Sequence, residues 1–247
     1  MTVKHLISLL IGALLLAAGS GWAQDLMEQG RAAQKAKNHD QAVALLGQLV
    51  KQDPHQTQGW LARAQSLSAL GRHEEALEDL SSGLAANPGN SSLLLARAKL
   101  LGNLERRPEA IATLNELLAR DPANVEALKE RAENLINEAE PDKAMADLTR
   151  ARSLAPKDPW IYHKMGMTEL CLNHYGKAVE DFTTAIRLSP ATPLFYFSRG
   201  ELYLRHLHNK ARAKADFKKG CTLGHPLCCN ELEMLNAGQR PSSKQGK

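Results

Sequence analysis

The side chains best equipped for chemistry in this 247-residue chain crowd near its C-terminal end: Cys221, His225, Cys228 and Cys229, with His206 and His208 upstream. Thiolate and imidazole ligands in this combination suit zinc or copper. The spacing matches no established zinc pattern, and Cys228 and Cys229 are adjacent. A disulfide is the competing reading for a chain that meets an oxidising compartment, and its connectivity is not deducible from sequence. No C-x-x-C motif occurs, so redox exchange of that type is unsupported. Two charge clusters stand out as well. Between Arg199 and Lys219 lie seven basic residues against Glu201 and Asp216, which on a helix makes either a solvated face or a surface for an anionic partner. Glu126, Glu130 and Glu133 stand with Lys129 at helical spacing, which reads as a salt-bridged surface rather than an acid/base pair. No nucleophile–base constellation, phosphate loop or paired-carboxylate motif is present, so the reading is a non-enzyme with no cofactor and no metal.

The composition says what scaffold carries these groups. Leu (40) and Ala (35) dominate, whereas Val (5), Ile (6) and an aromatic content of 4% leave little material for strands. The fold class expected is all-α. A hydrophobic content of 43% with 23% charged residues is that of a globular chain. A formal net charge of +4 is too balanced to point to nucleic acid.

Periodicity then sets the architecture. The X-Pro steps at Pro54, Pro88, Pro122, Pro156 and Pro190 recur every 34 residues. Ala42, Ala76, Ala110, Ala144 and Ala178 keep the same step, as do Gly30, Ala64, Ala98, Ala132, Gly166 and Gly200. So do Leu46, Leu80, Leu114, Leu148 and Phe182. Small residues at two places per unit let antiparallel helices approach closely, and the Leu or Phe four residues after the Ala falls on the same helix face. The Pro ends the second helix, because the residue before it is pushed out of the α region. Each unit is a helical hairpin that must stack on neighbours to bury its apolar face.

This pattern resembles the tetratricopeptide repeat (TPR) family. The carrying residues are Trp60, Ala64, Leu67, Gly71, Ala76, Leu80 and Pro88 in one unit, and Tyr162, Gly166, Tyr175, Ala178, Phe182, Ala185 and Pro190 in another. The resemblance implies a right-handed α/α solenoid of six hairpins, 24–56, 57–90, 91–124, 125–158, 159–192 and 193–226, with a capping helix over 227–238. The sixth unit carries one extra residue, placed at His206–Asn209, and the family's turn glycine is replaced by Glu105 and Ala139 in units three and four. Residues 239–247 read as a disordered basic tail.

TPR arrays generally bind proteins or peptides. In the family the first helix of each hairpin lines the binding face, which implies a groove of Met27, Arg31, Leu61, Gln65, Leu95, Lys99, Lys129, Glu133, His163, Met167, Phe197 and Glu201. Met27 and Arg31, then Leu61 and Gln65, stand where the chaperone-tail carboxylate clamp of some relatives would begin, so that clamp is rejected. The apolar members imply an apolar or amphipathic segment as ligand, with packing against adjacent helices as the competing role. The Cys221–Cys229 spacing is similar to that of cysteine-rich α/α-repeat relatives, and that resemblance implies a bridge between the last hairpin and the cap.

The N-terminus reads as an address. Lys4, an apolar stretch from Leu6 to Ala18 and small residues ending at Ala23 form a secretory signal over 1–23, with Gln24 as the first mature residue. The apolar stretch is shorter than the roughly 20 residues of a membrane span. The expectation is an exported scaffold or adaptor, periplasmic or secreted, holding a protein or peptide in an envelope assembly. It has no nucleic-acid partner and no transmembrane span in the mature chain. A metal- or redox-active protein using the Cys/His cluster, and a holdase for exported chains, are the alternatives.

Overall fold

A computed structural model describes residues 22–237. They form thirteen α-helices and no strand among the described residues. The chain divides into two compact units, with the boundary between Asp121 and Pro122. The first holds α1 (22–35), α2 (His39–Gln52), α3 (Thr57–Ala69), α4 (His73–Ala86), α5 (Ser91–Asn103) and α6 (Arg107–Arg120). The second holds α7 (Val125–Asn137), α8 (Pro141–Leu154), α9 (Pro159–Cys171), α10 (Tyr175–Leu188), α11 (Pro193–Glu201), α12 (Lys210–Thr222) and α13 (Pro226–Asn236). Successive helices pair as antiparallel hairpins, α3 with α4, α5 with α6, α7 with α8, α9 with α10 and α11 with α12. Residues 1–21, which hold most of the segment read as a secretory signal, and residues 238–247, which hold the segment read as a basic tail, lie outside the described residues.

Each hairpin closes on one contact between a small residue of its first helix and a large residue of its second. Leu46, Leu80, Leu114, Leu148, Phe182 and Phe217 are all buried. Opposite the two phenylalanines stand Gly166 and Gly200, where an added Cβ would fall 2.7 Å and 2.6 Å from the ring. Gly30 faces Leu46 as closely, at 2.7 Å, and opposite Leu80, Leu114 and Leu148 the register places Ala64, Ala98 and Ala132. Aromatic rings also tie hairpins together. Trp60 Nε1 donates to the Pro54 carbonyl at 2.9 Å, Tyr162 Oη to that of Pro156 at 3.0 Å and Tyr196 Oη to that of Pro190 at 3.1 Å.

The punctuation follows from local chemistry. The residue before each repeat proline leaves the helical region: Asp53, Asn87, Asp121, Ala155 and Ser189 have ψ of 84°, 70°, 80°, 68° and 79°. Asn90, Asn124 and Asp158 then cap the next helix by accepting from backbone N–H groups in its first turn. Within hairpins the turn residue is left-handed every time: Lys37, Gly71, Glu105, Ala139, Asn173 and His208 have φ of 59°, 75°, 59°, 58°, 61° and 51°. Loss of the family glycine at Glu105 and Ala139 therefore leaves the turn unchanged and adds backbone strain.

The sixth hairpin corrects one detail of the sequence reading. Its extra residue is absorbed in a π-helical turn over Leu202–His206 at the end of α11, earlier than the expected His206–Asn209. In the other turns the N–H after the left-handed residue reaches back five residues, as from Arg72 to Leu67; here Asn209 reaches back six, to Tyr203. Widening the last helical turn keeps both the left-handed turn and the Gly200–Phe217 contact in place, which a longer connecting loop would not do.

The cap α13 packs Cys228, Leu232 and Leu235 on a cluster of Tyr203, Leu204, Ala213 and Phe217. Cys221 of α12 and Cys229 of α13 are joined by a disulfide.

Two stability changes follow. Ala139→Gly is expected to stabilise the protein by about 0.5–1 kcal/mol by relieving the left-handed strain, and Gly71→Ala to cost about as much, read by denaturant unfolding. Gly166→Ala is expected to cost about 1–3 kcal/mol because its methyl group collides with the Phe182 ring. Gly176→Ala, in a helix with open space around it, is expected to be neutral or stabilising; equal losses in those two variants would contradict the Gly166–Phe182 packing.

Candidate functional site

The residues on the first helices are held in line because those helices touch: α3 packs on α5 in the first unit and α7 on α9 in the second. In the first unit Met27 packs on the core of the first hairpin and Leu61 on that of the second, so both are partly buried. Arg31 and Gln65 are exposed, and Leu95 and Lys99 half-buried.

In the second unit each charged member is paired with a neighbouring side chain. Lys129 Nζ lies 2.8 Å from both Glu126 and Asp158. Burial opposes its charge, but the hydrogen bonds to Asp158 and Glu126 more than offset this and raise its pKa. Glu133 pairs with Lys164, and Glu201 with Arg205. His163 is set among the rings of Trp160, Phe182 and Phe195, with a hydrogen bond of 2.9 Å between Nε2 and Ser198 Oγ. Burial, with the Lys164 charge beside it, pushes its pKa down to about 4, so the ring is neutral at ordinary pH. Phe197 packs on the last hairpin's core and stacks on His225 with centroids 4.9 Å apart.

Two large apolar side chains of α9 remain in solvent: Trp160 is 41% exposed and Met167 36%. The Trp160 ring stands edge-on to Phe195 at 5.0 Å, which fixes its orientation. Sequence reasoning passed over Trp160. The available signal was a bulky aromatic immediately after Pro159, at a place where none of the 34-residue series requires one.

The C-terminal cluster has a different character from a metal site. Cys221 and Cys229 are bonded to each other, His225 is stacked on Phe197, and His206 lies against Tyr175. Cys228 is buried, and burial, with Asp216, Glu201 and Glu231 nearby, pushes its thiol up to about 11. Among the described residues no group of three His, Cys, Asp or Glu side chains could hold a metal. Cys171, the remaining free thiol, is exposed.

A second feature repeats at the 34-residue step. An arginine of the first helix faces a carboxylate of the second in hairpins two, four and six. Arg131 and Asp147 form a two-pronged pair at 2.7 Å and 2.6 Å, and Arg199 and Asp216 another at 2.9 Å and 2.7 Å. Arg63 and Asp79 meet at one contact of 3.2 Å, which leaves Asp79 Oδ2 buried without a partner. Burial there outweighs the Arg63 charge and raises the Asp79 carboxyl to about 6. Hairpin three has Thr113 in the acidic place, and hairpin five has Met165 in the basic one. Asp181 consequently lacks its arginine, and burial, with Glu169 nearby, raises it to about 6 although Arg152 opposes this.

Repeated helical hairpins closed on small-to-large contacts, with side chains of the first helices aligned on one face within each unit, define an α/α-repeat interaction scaffold. Comparison with known proteins agrees. Sequence profiles described as Tetratricopeptide repeat match residues 27–91, 67–132 and 161–192, together more than half of the chain. The chain belongs to the tetratricopeptide repeat family. No curated protein matches it. A tetratricopeptide repeat protein from Parabacteroides merdae superposes with a TM-score of 0.74 at 21% identity, over 88% of each chain. PilW, a widely conserved type IV pilus biogenesis factor, gives 0.73 at 19% identity over 87% of this chain and 98% of its own. A thermophilic TPR protein of Thermus thermophilus gives 0.60 at 19% identity, over 74% and 99%. At these identities the likeness is one of fold.

The lone Asp181 yields a pH prediction. A carboxyl whose pKa is higher folded than unfolded binds its proton more tightly in the native state. It therefore lowers stability progressively as pH rises from about 4 to about 6, and fully above that. Asp181→Asn is expected to raise Tm at about pH 7.5 and to change it little at about pH 4; a gain independent of pH would show that Asp181 carries no such burden.

Proposed function

We propose that the protein is an exported, non-catalytic scaffold that holds a protein or peptide partner within an envelope assembly. The observation that carries the binding role is on α9: Trp160 and Met167 stay exposed on a face whose charges, Lys129, Glu133 and Lys164, are already paired. Such a face presents apolar area without free charge, which suits an apolar or amphipathic segment whose own surface must be desolvated. Support for export comes from the leader-like segment over 1–23 and from the Cys221–Cys229 bond, which persists in oxidising compartments. PilW, which shares the fold, is a pilus biogenesis factor, and an envelope role of that general kind is part of the proposal. Among the described residues no helix is long and apolar enough to cross a membrane.

Crosslinking capture from the envelope fraction, with intact-mass analysis of the recovered protein, tests this reading. The expected species begins at Gln24 and brings down a defined partner. Met167→Glu is expected to lower capture by about tenfold or more, since a desolvated unpaired charge costs several kcal/mol. Helical circular dichroism and Tm should stay unchanged in that variant. Normal capture by a folded Met167→Glu protein would remove α9 from the binding face, and a full-length species retained in membranes would argue for an anchor.

A further inference from the structure

The repeated arginine–carboxylate pair is broken in hairpin three, and a cavity lies beside the break. Arg97 Nη2 donates to Thr113 Oγ1 at 3.2 Å, and that hydroxyl in turn donates to the Glu109 carbonyl at 2.9 Å. Arg97 Nε is buried with no acceptor among the described residues. The corresponding Nε atoms of Arg131 and Arg199 each donate to an aspartate, whereas Arg63 Nε is buried and unmet although Nη1 of the same side chain reaches Asp79. Beside Arg97 lies a cavity of about 400 Å³ between α4, α5 and α6, with Leu77, Leu101 and Thr113 in its lining. Two acidic side chains also line it, but both are engaged: Glu109 by Arg106 at 2.7 Å and Glu116 by Arg120 at 3.7 Å. Among the described residues Arg97 has no carboxylate within ion-pair distance, so it is a guanidinium whose buried Nε lacks an acceptor and which lines an open space.

We propose that this cavity is a binding site for a carboxylate, seated on the Nε and Nη2 edge of Arg97 in the place that an aspartate fills in hairpins four and six. The reasoning is stereochemical. A guanidinium edge and a carboxylate form two parallel, charge-assisted hydrogen bonds, and hairpins four and six show that this fold accommodates them at that register. Thr113 is shorter than Asp and neutral, so it satisfies one donor and supplies no charge to oppose that of Arg97. A ligand carboxylate entering from the cavity supplies the missing acceptor, with a small rotation of the side chain to open the buried Nε. Leu77 and Leu101 offer apolar contact to the carbon atoms next to it. The carboxylate can belong to a small free acid or to an Asp or Glu side chain of a partner, and the chemistry of recognition is the same. The site uses none of the α9 residues.

The chain contains its own test variants. Thr113→Asp reproduces the pair of the other hairpins, and Arg97→Met reproduces hairpin five, where Met165 occupies the arginine's place. The full mature protein is titrated with sodium succinate, with neutral succinamide as control, and with a blocked Ala-Leu-Asp-Leu-Ala peptide. Calorimetry and the Arg97 Nε–H resonance report binding at constant ionic strength. The expected result is saturable binding of succinate, of the peptide or of both, a shifted Nε–H resonance, and no response to succinamide. Both variants should bind about tenfold or more weakly. Thr113→Asp should itself raise Tm by about 2–4 °C. Preference for succinate identifies a free acid as ligand, and preference for the peptide identifies a partner side chain. Should Thr113→Asp fail to fold, Arg97→Met decides alone, with circular dichroism to show that it is folded. No saturable binding by the wild-type protein, meaning a cavity that holds only water, overturns the proposal. So does equal binding by folded Arg97→Met.

Discussion

The close approach of two helices inside each hairpin is the constraint on which the rest depends. A glycine or alanine on the first helix meets a leucine or phenylalanine on the second, and each partner limits the other's size. Where the large residue is Phe182 or Phe217 the small one is glycine, because a Cβ at Gly166 or Gly200 would fall inside the ring's van der Waals shell. Dense interiors do not absorb such an overlap without cost. The depth of this contact sets how far apart the two helices stand. That distance in turn decides which side chains reach across from one to the other.

The arginine–carboxylate series is the clearest product of that spacing. Arg131 and Arg199 reach their aspartates with both prongs, whereas Arg63 reaches Asp79 with one and leaves an oxygen of the carboxylate buried and unmet. A buried pair of this kind contributes little net stability, because desolvation cancels most of the attraction. Its loss on one side only is more consequential, since the remaining partner keeps its desolvation cost without compensation. Hairpins three and five each carry half of the pair. The basic half, Arg97, adjoins a cavity; the acidic half, Asp181, responds by holding its proton to higher pH.

The sixth hairpin shows how the same constraint is kept when the sequence departs from its period. One extra residue would displace either the turn or the packing contact. A π-helical turn over Leu202–His206 takes it up, and His208 still serves as the left-handed turn residue while Phe217 still meets Gly200. The end of the array is closed by α13, which covers Phe217 and Tyr203 with Cys228, Leu232 and Leu235 and is linked to α12 through Cys221 and Cys229.

Much of this was legible in the sequence. Spacing of 34 residues between prolines, alanines and leucines determines hairpins, their turns and the small-to-large contact, because each depends on residues close in the chain or at a constant offset. The prolines dictate where second helices end through a purely local steric effect. The roles of individual first-helix residues were decided by tertiary structure. Leu61, Met27 and Phe197 have the hydrophobicity expected of a groove, yet neighbouring helices draw them partly into the core. Lys129, Glu133 and Glu201 have the charge expected of a contact surface, yet partners on adjacent helices or turns neutralise them. Trp160 and Met167 stay exposed because neighbouring side chains do not cover them. The sequence alone also shows Thr113 and Met165 standing where Asp and Arg recur. It could not show that a cavity lies beside Arg97, since a cavity depends on how three helices pack against one another.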